Sequence, residues 1–359
     1  MNESPVPTLP PRFRYPLALL AGIALALAFP GFDIAGLAWI APGLMLAAAL
    51  GTSGRQAFRL GFVAGLVFWL MSLSWLLNIP EKGFPILGWI ALAAYCALFQ
   101  ATWVWLSWKL FPLEHGRAGS PLPAAGARTD ERRAEDCAPY QTSFAACSPL
   151  ARLRWTIVCA ALWVALEMIR CRLLSGFPWS LLASSQFELT PLLQISSVTG
   201  VFGVSFLIVW ASVSLFSAAV VLCSRRREEA GTPGQPQPIR PPRYLGCYAA
   251  LLPLLVVAIV FATGYRRVTH APESNRTLRV TCIQPSIPQT NIWNPAENDR
   301  RFTELLALSE RALTNKTDVL VWPEAALPEL NEASFHALTN LAAQHQVWFV
   351  FGADDVVLR

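Results

Sequence analysis

Glu324 stands in "DVLVWPEAALPEL", Asp318 to Leu330, where an apolar run ends at a proline and a carboxylate follows at once. A carboxylate beside a poorly hydrated site takes a proton more readily than one in water. It can therefore serve as a general base for a nucleophile. A glutamate two residues past a strand is more often a helix-start or solvent-facing residue than a base, so the choice depends on its company. Other chemistries lack their signatures. There is no GxSxG elbow, no phosphate-cradling P-loop and no GxGxxG. None of the eight cysteines forms a CxxC, and none pairs at zinc spacing with His115, His270, His336 or His345, so no metal site and no disulfide framework is read.

Alternating strand and helix signals surround Glu324. "TLRVTCIQ", Thr277 to Gln284, is β-branched and alternating, while "DVLVW" and "VWFVF" are short apolar runs suited to buried strands. Between them the spacing predicts two helices. One has Asn294 as N-cap, Pro295 at its first position, and Phe302, Leu305, Leu306 and Leu313 on one face. The other begins near Asn331 and buries Phe335, Leu338 and Leu341. A β-α-β-α-β order predicts a layered α/β domain whose active groups sit just past the strand ends.

Upstream the composition is that of a membrane protein. Hydrophobic residues make up 54% of the 359 and charged residues 14%, against about a quarter charged in soluble chains. Seven apolar runs approach the length that a helix needs to cross a bilayer: Phe13 to Phe29, Ile34 to Leu50, Leu60 to Leu77, Ile86 to Phe111, Trp155 to Ile169, Leu192 to Cys223 and Tyr244 to Gly264. The arginines of the connecting segments fall on alternate sides, which predicts a cytoplasmic N-terminus and a C-terminal part beyond the membrane. Arg170 and Arg172 are exceptions at the outer end of the fifth run. Residues 112–154 and 224–243 read as cytoplasmic polar loops, with Cys137 and Cys147 in the first kept reduced. Gly61 and Gly65 read as a small-xxx-small contact between helices, and most of the 14 tryptophans as interfacial anchors or packing residues. The net charge of +5 is topogenic and does not point to nucleic acid.

Taken together, "CIQPSIPQTNIWNP", "VWPEAALPE", "ALEMIRCRLLSGFPW" and "PLLQISSVTGVFGVSFL" resemble the bacterial apolipoprotein N-acyltransferases, a membrane-bound branch of the nitrilase superfamily. The resemblance implies a membrane domain, residues 1–264, followed by an α/β nitrilase-like αββα sandwich in the periplasm, here residues 277–359. It implies transfer of an acyl chain from membrane phospholipid to the N-terminal amine of a diacylglyceryl apolipoprotein, in the bacterial inner membrane and with no cofactor. In such a ping-pong reaction a glutamate deprotonates a cysteine thiol, the thiolate takes the acyl group as a thioester, and a lysine stabilises the oxyanion. Glu324 matches the general base. Trp293 matches a tryptophan that shapes the site entrance, or else is a packing contact beside the Asn294 cap. Gln284 and Gln289 flank the same loop and are candidates to line the site. Trp179, in "GFPW", borders a lateral entrance for lipid or packs under the domain that follows.

One departure stands out. The resemblance places the lysine, the cysteine and a final span downstream of the Trp-Pro-Glu motif, and the sequence given ends at Arg359. Lys316 precedes the motif and Cys282 lies within the first strand, so neither takes these roles. The expectation is an incomplete sandwich with an open apolar edge, inactive alone, whose missing half is encoded downstream of codon 359 or by a second polypeptide. An inactive remnant or a lipid- or lipoprotein-binding scaffold is the alternative. A transporter has less to stand on, since the paired intramembrane charges such a pathway uses come down to Glu167 with Arg170.

Overall fold

The structure is a computed structural model that describes residues 9–78, 85–112, 147–229, 245–271, 276–288, 294–324, 326–327 and 330–353. Trp293, Gln289 and most of both polar loops lie outside these residues. The chain divides into two compact units, one reaching Ala271 and one beginning at Pro272.

The first unit is helical: α1 (Pro11–Leu27), α2 (Ala41–Ala49), α3 (Gly54–Ser72), α4 (Pro85–Lys109), α5 (Pro149–Arg170), the short α6 (Thr190–Leu193) and α7 (Ser196–Thr199), α8 (Val201–Glu229) and α9 (Leu245–Thr269). Among the described residues four segments are long and apolar enough to cross a membrane: Pro85–Lys109, Pro149–Arg170, Val201–Cys223 and Leu251–Thr269. The run from Ile34 to Leu50 is not one helix. It splits into a 3-10 turn over Ala35–Trp39 and the 9-residue α2, which has a proline in its first turn. At about 1.5 Å per residue, α2 covers only about half of the bilayer core. The run from Leu192 to Cys223 is likewise interrupted, because Gly200 takes a φ of 64° before α8 starts.

Small residues set the closeness of these helices. A Cβ on Gly61 would lie 2.9 Å from the Ala101 Cα and 2.8 Å from the Val104 Cβ, and one on Gly65 3.1 Å from the Ala97 Cα. This is the close α3–α4 approach that their spacing implies. Tryptophans fill the interior and satisfy their indole N–H groups there. Trp69 donates to Gln100 Oε1 at 3.0 Å, Trp103 to the Cys159 carbonyl at 2.8 Å and Trp155 to the Ser107 carbonyl at 3.0 Å. All three are buried, so they are packing residues and not members of an interfacial belt.

The second unit is a three-stranded parallel sheet in the order β1 (Val280–Cys282), β2 (Val319–Val321), β3 (Trp348–Val350), connected through α10 (Asn298–Ala312) and α11 (Glu332–His345). Its register aligns Val280 with Val319 and Trp348, and Cys282 with Val321 and Val350. The residues between, Thr281, Leu320 and Phe349, point to the opposite face, and there Leu320 joins Leu305, Leu313, Leu338 and Leu341 in one core. The cap expected at Asn294 forms, and Asn331, the expected start of the second helix, caps that helix. Asn294 accepts from the Ala296 amide at 3.2 Å and Asn331 from the Ser334 amide at 2.8 Å. Asn294 opens a 3-10 turn, Pro295–Glu297, ahead of α10. Phe335, expected in the core, is 50% exposed. The buried face of α11 runs through Ser334, Leu338 and Leu341, and Phe335 lies about 100° away from Ser334 around the helix.

Candidate functional site

The three parallel strands end at one edge, and the turn that carries Glu324 is fixed to that edge on both sides. The Trp322 amide donates to the Val350 carbonyl at 2.9 Å, and the Leu327 amide to the Gly352 carbonyl at 3.3 Å. Leu327 and Ala353 add a parallel bridge beyond the named strands. Trp322, Ala326 and Leu327 are all buried, whereas Glu324 between them is exposed. Pro323 has no N–H to extend the ladder, which suits a strand that must stop here. A frame of buried residues thus presents one carboxylate beyond the carboxyl end of the central strand.

Trp322 anchors this frame, a role that its place in the Trp-Pro-Glu motif does not itself announce. Its ring is packed edge-on against Phe302, with centroids 6.1 Å apart, and against Phe349 at 5.0 Å. Its indole N–H donates to Ser309 Oγ at 2.7 Å, and that hydroxyl donates to the Leu305 carbonyl at 2.7 Å. In sequence, an aromatic residue before a proline reads simply as the last residue of a strand. Its partner Ser309 is a small polar residue on the buried face of α10, and that is the signal that could have exposed the pair.

Gln284, exposed just past β1, shares the carboxyl edge of the sheet with Glu324. Lys316 is exposed ahead of β2, at the amino end of the strand that Glu324 follows, and the exposed thiol of Cys282 is in register with Val321 inside the sheet. Trp179 belongs to the first unit. It is 48% exposed and its ring faces that of Trp75, with centroids 5.3 Å apart. Its carbonyl accepts a hydrogen bond from Arg170, a residue that the charge pattern of the sequence marks only as misplaced.

Comparison with known proteins reaches both units. The model of the apolipoprotein N-acyltransferase N-terminal domain matches residues 21–214, more than half of the chain, which include Trp179 and stop short of Glu324. The apolipoprotein N-acyltransferase of Geobacter metallireducens is 33% identical over 326 residues, 89% of this chain and 52% of that relative. Those of Methylococcus capsulatus and Azotobacter vinelandii are each 28% identical, over 94% and 90% of this chain and 56% and 53% of their own lengths. The chain spans about half the length of the curated relatives it matches. With a membrane-helix unit matched across its main helices and relatives aligned over about nine-tenths of the sequence, the chain belongs to the apolipoprotein N-acyltransferase family.

Proposed function

We propose that this chain is part of an enzyme that transfers an acyl chain from membrane phospholipid to the N-terminal amine of a diacylglyceryl apolipoprotein, with Glu324 as general base. The observation that carries the reading is the pinned turn at the carboxyl edge of the sheet, which presents an exposed carboxylate in a chain of this family. In the first half-reaction Glu324 takes the proton of a cysteine thiol and the thiolate attacks the ester carbonyl. The C–O bond breaks, the lysophospholipid alkoxide receives a proton, and a thioester remains. In the second, the apolipoprotein amine attacks the thioester, an amide forms and the thiol is regenerated. Cys282 and Lys316 are assigned neither the nucleophile's role nor the oxyanion's.

The nitrilase-like reading of the second unit has its own support. One face of the sheet packs on α10 and α11, while the other carries Val280, Trp348 and Val350, exposed by 51%, 80% and 55%. In an αββα sandwich such an apolar face meets a second sheet, and a bare face of this kind is otherwise an association hazard. The alternating arginines favour the periplasmic side of a bacterial inner membrane for this unit. The test is complementation. In a host depleted of its own N-acyltransferase, the gene with its downstream sequence is expected to restore triacylated lipoprotein, detected by mass spectrometry. Diacylated lipoprotein alone would refute the reading.

A further inference from the structure

Glu167 and Arg170 lie one turn apart on α5 and are 7% and 2% exposed. Charges enclosed in an apolar bundle need partners, and such pairs are retained for a reason. Here the two charges act on opposite backbone groups of one segment. Arg170 Nη1 donates to the Phe177 carbonyl at 2.6 Å and to the Trp179 carbonyl at 2.7 Å, and the Phe177 amide donates back to the Arg170 carbonyl at 2.9 Å. Glu167 Oε1 accepts from the Leu182 amide at 2.8 Å and from Trp163 Nε1 at 3.0 Å. The cation holds two carbonyls in the middle of the segment and the anion holds the amide at its end.

Residues 171–182 would not keep this path unaided. Leu174, Ser175 and Gly176 have successive φ values of 54°, 74° and 86°, and Ser180 has 45°. Only the glycine adopts such angles without penalty, so three side-chain-bearing residues are held against their local preference. The product of that constraint is the placement of Trp179, whose ring contacts Trp75 and Phe177, while the Arg170 guanidinium lies 4.8 Å over the Trp69 ring. Glu167 and Arg170 also line a cavity of about 20 Å³ together with Gln100 and Ser180. The second carboxylate oxygen, Oε2, is buried as well, and the Ser205 hydroxyl lies beside the carboxylate.

We infer that Glu167 and Arg170 are paired positioning residues for acyl transfer, fixing residues 171–182 in one conformation and so holding Trp179 against Trp75. The inference rests on the proposed acyltransferase function and assigns the pair no contact with substrate. Lysine does not replace Arg170, because its ammonium ends one bond short of the Nη1 that reaches both carbonyls and does not lie flat over the Trp69 ring as the guanidinium does. Glutamine at 167 keeps an oxygen for Leu182 and Trp163.

The experiment compares wild type, Arg170→Lys, Arg170→Ala and Glu167→Gln, each expressed from the whole gene and held in lipid nanodiscs. Amide hydrogen exchange and acyl transfer from a phospholipid to a diacylglyceryl peptide are measured together. In Arg170→Lys, amides of residues 171–182 are expected to exchange at least about tenfold faster while α3 and α4 are unchanged, and KM for phospholipid is expected to rise about tenfold. In Glu167→Gln the Leu182 amide is expected to stay protected. Unchanged exchange in both Arg170 variants overturns the inference. Faster exchange with wild-type KM also overturns it, since the segment would then be irrelevant to transfer. If Arg170→Ala fails to fold, Arg170→Lys decides. A wild type that transfers no acyl group overturns the functional reading itself and the positioning role with it, while the exchange data still report whether the pair holds the segment.

Discussion

Trp322 and Ser309 meet in the core of the second unit, where the indole N–H donates to the hydroxyl at 2.7 Å. The bond ties the strand end that precedes Glu324 to the middle of α10. Both partners are buried, Trp322 to 3% exposure and Ser309 to 0%, so the bond has no access to water that could replace it. The position of the carboxylate two residues later therefore depends on a helix well before it in sequence.

The pair should show coupling. Ser309→Ala leaves a buried indole N–H without an acceptor, at a cost of about 1–3 kcal/mol. Trp322→Phe removes the donor and some packing volume, at a comparable cost. In the double variant neither orphan remains, so the losses are expected to be less than additive by about 1 kcal/mol. Denaturant unfolding of the second unit, followed by near-UV circular dichroism in the intact protein, measures the cycle. Strict additivity would mean that the hydrogen bond is not worth what its geometry implies.

The α3–α4 contact makes a second prediction. Gly61→Val would drive a branched side chain into the Ala101 Cα, which no rotamer change on the neighbour can clear. A loss of about 1–3 kcal/mol is expected, read as a lower Tm in detergent. A Cβ added to Gly88 on α4 would meet nothing within 4 Å, so Gly88→Ala is expected to be neutral or to stabilise by up to about 1 kcal/mol through helix propensity. Equal effects at both positions would contradict the packing described.

The open sheet face makes a third. In a Cys282→Ser background, Trp348→Cys and Phe335→Cys report on opposite surroundings, because both side chains are exposed, at 80% and 50%, but only Trp348 lies on the face that a second sheet would cover. Expressed from the whole gene, Trp348→Cys is expected to react with a maleimide at least about tenfold more slowly than Phe335→Cys. A membrane-impermeant reagent added to the periplasmic side is expected to label Phe335→Cys. Equal rates would contradict the sandwich, and labelling only after the inner membrane is permeabilised would contradict the orientation.

Local chemistry makes part of this architecture legible in the sequence. The side chain of Asn294 caps the 3-10 turn ahead of α10 and that of Asn331 caps α11, while one alternating run and two short apolar runs form the three strands. What escapes depends on geometry that spacing does not encode. Phe335 reads as a core residue by its apolar type, yet helical phase gives the buried position to the small Ser334. The Ile34 to Leu50 run is apolar enough for a span yet breaks before Pro42, since hydropathy does not register where a helix can start. Arg170 looks like an exception to the charge pattern because its partners are backbone carbonyls, which have no letter in the sequence. For Glu324 the strand end is legible, while the buried frame around it needs Trp322, Ser309 and the β3 carbonyls to be placed in space.

The role of Glu324 is tested most directly by Glu324→Gln, introduced into the whole gene and expressed in a host depleted of its own N-acyltransferase. The side chain is exposed, so the change is expected to alter stability by no more than about 0.5 kcal/mol, and membrane insertion should match wild type. Mass spectrometry of a reporter lipoprotein is expected to show the triacylated form with wild type and only the diacylated form with Glu324→Gln. Equal triacylation by the two proteins would contradict the assignment of Glu324 as the base.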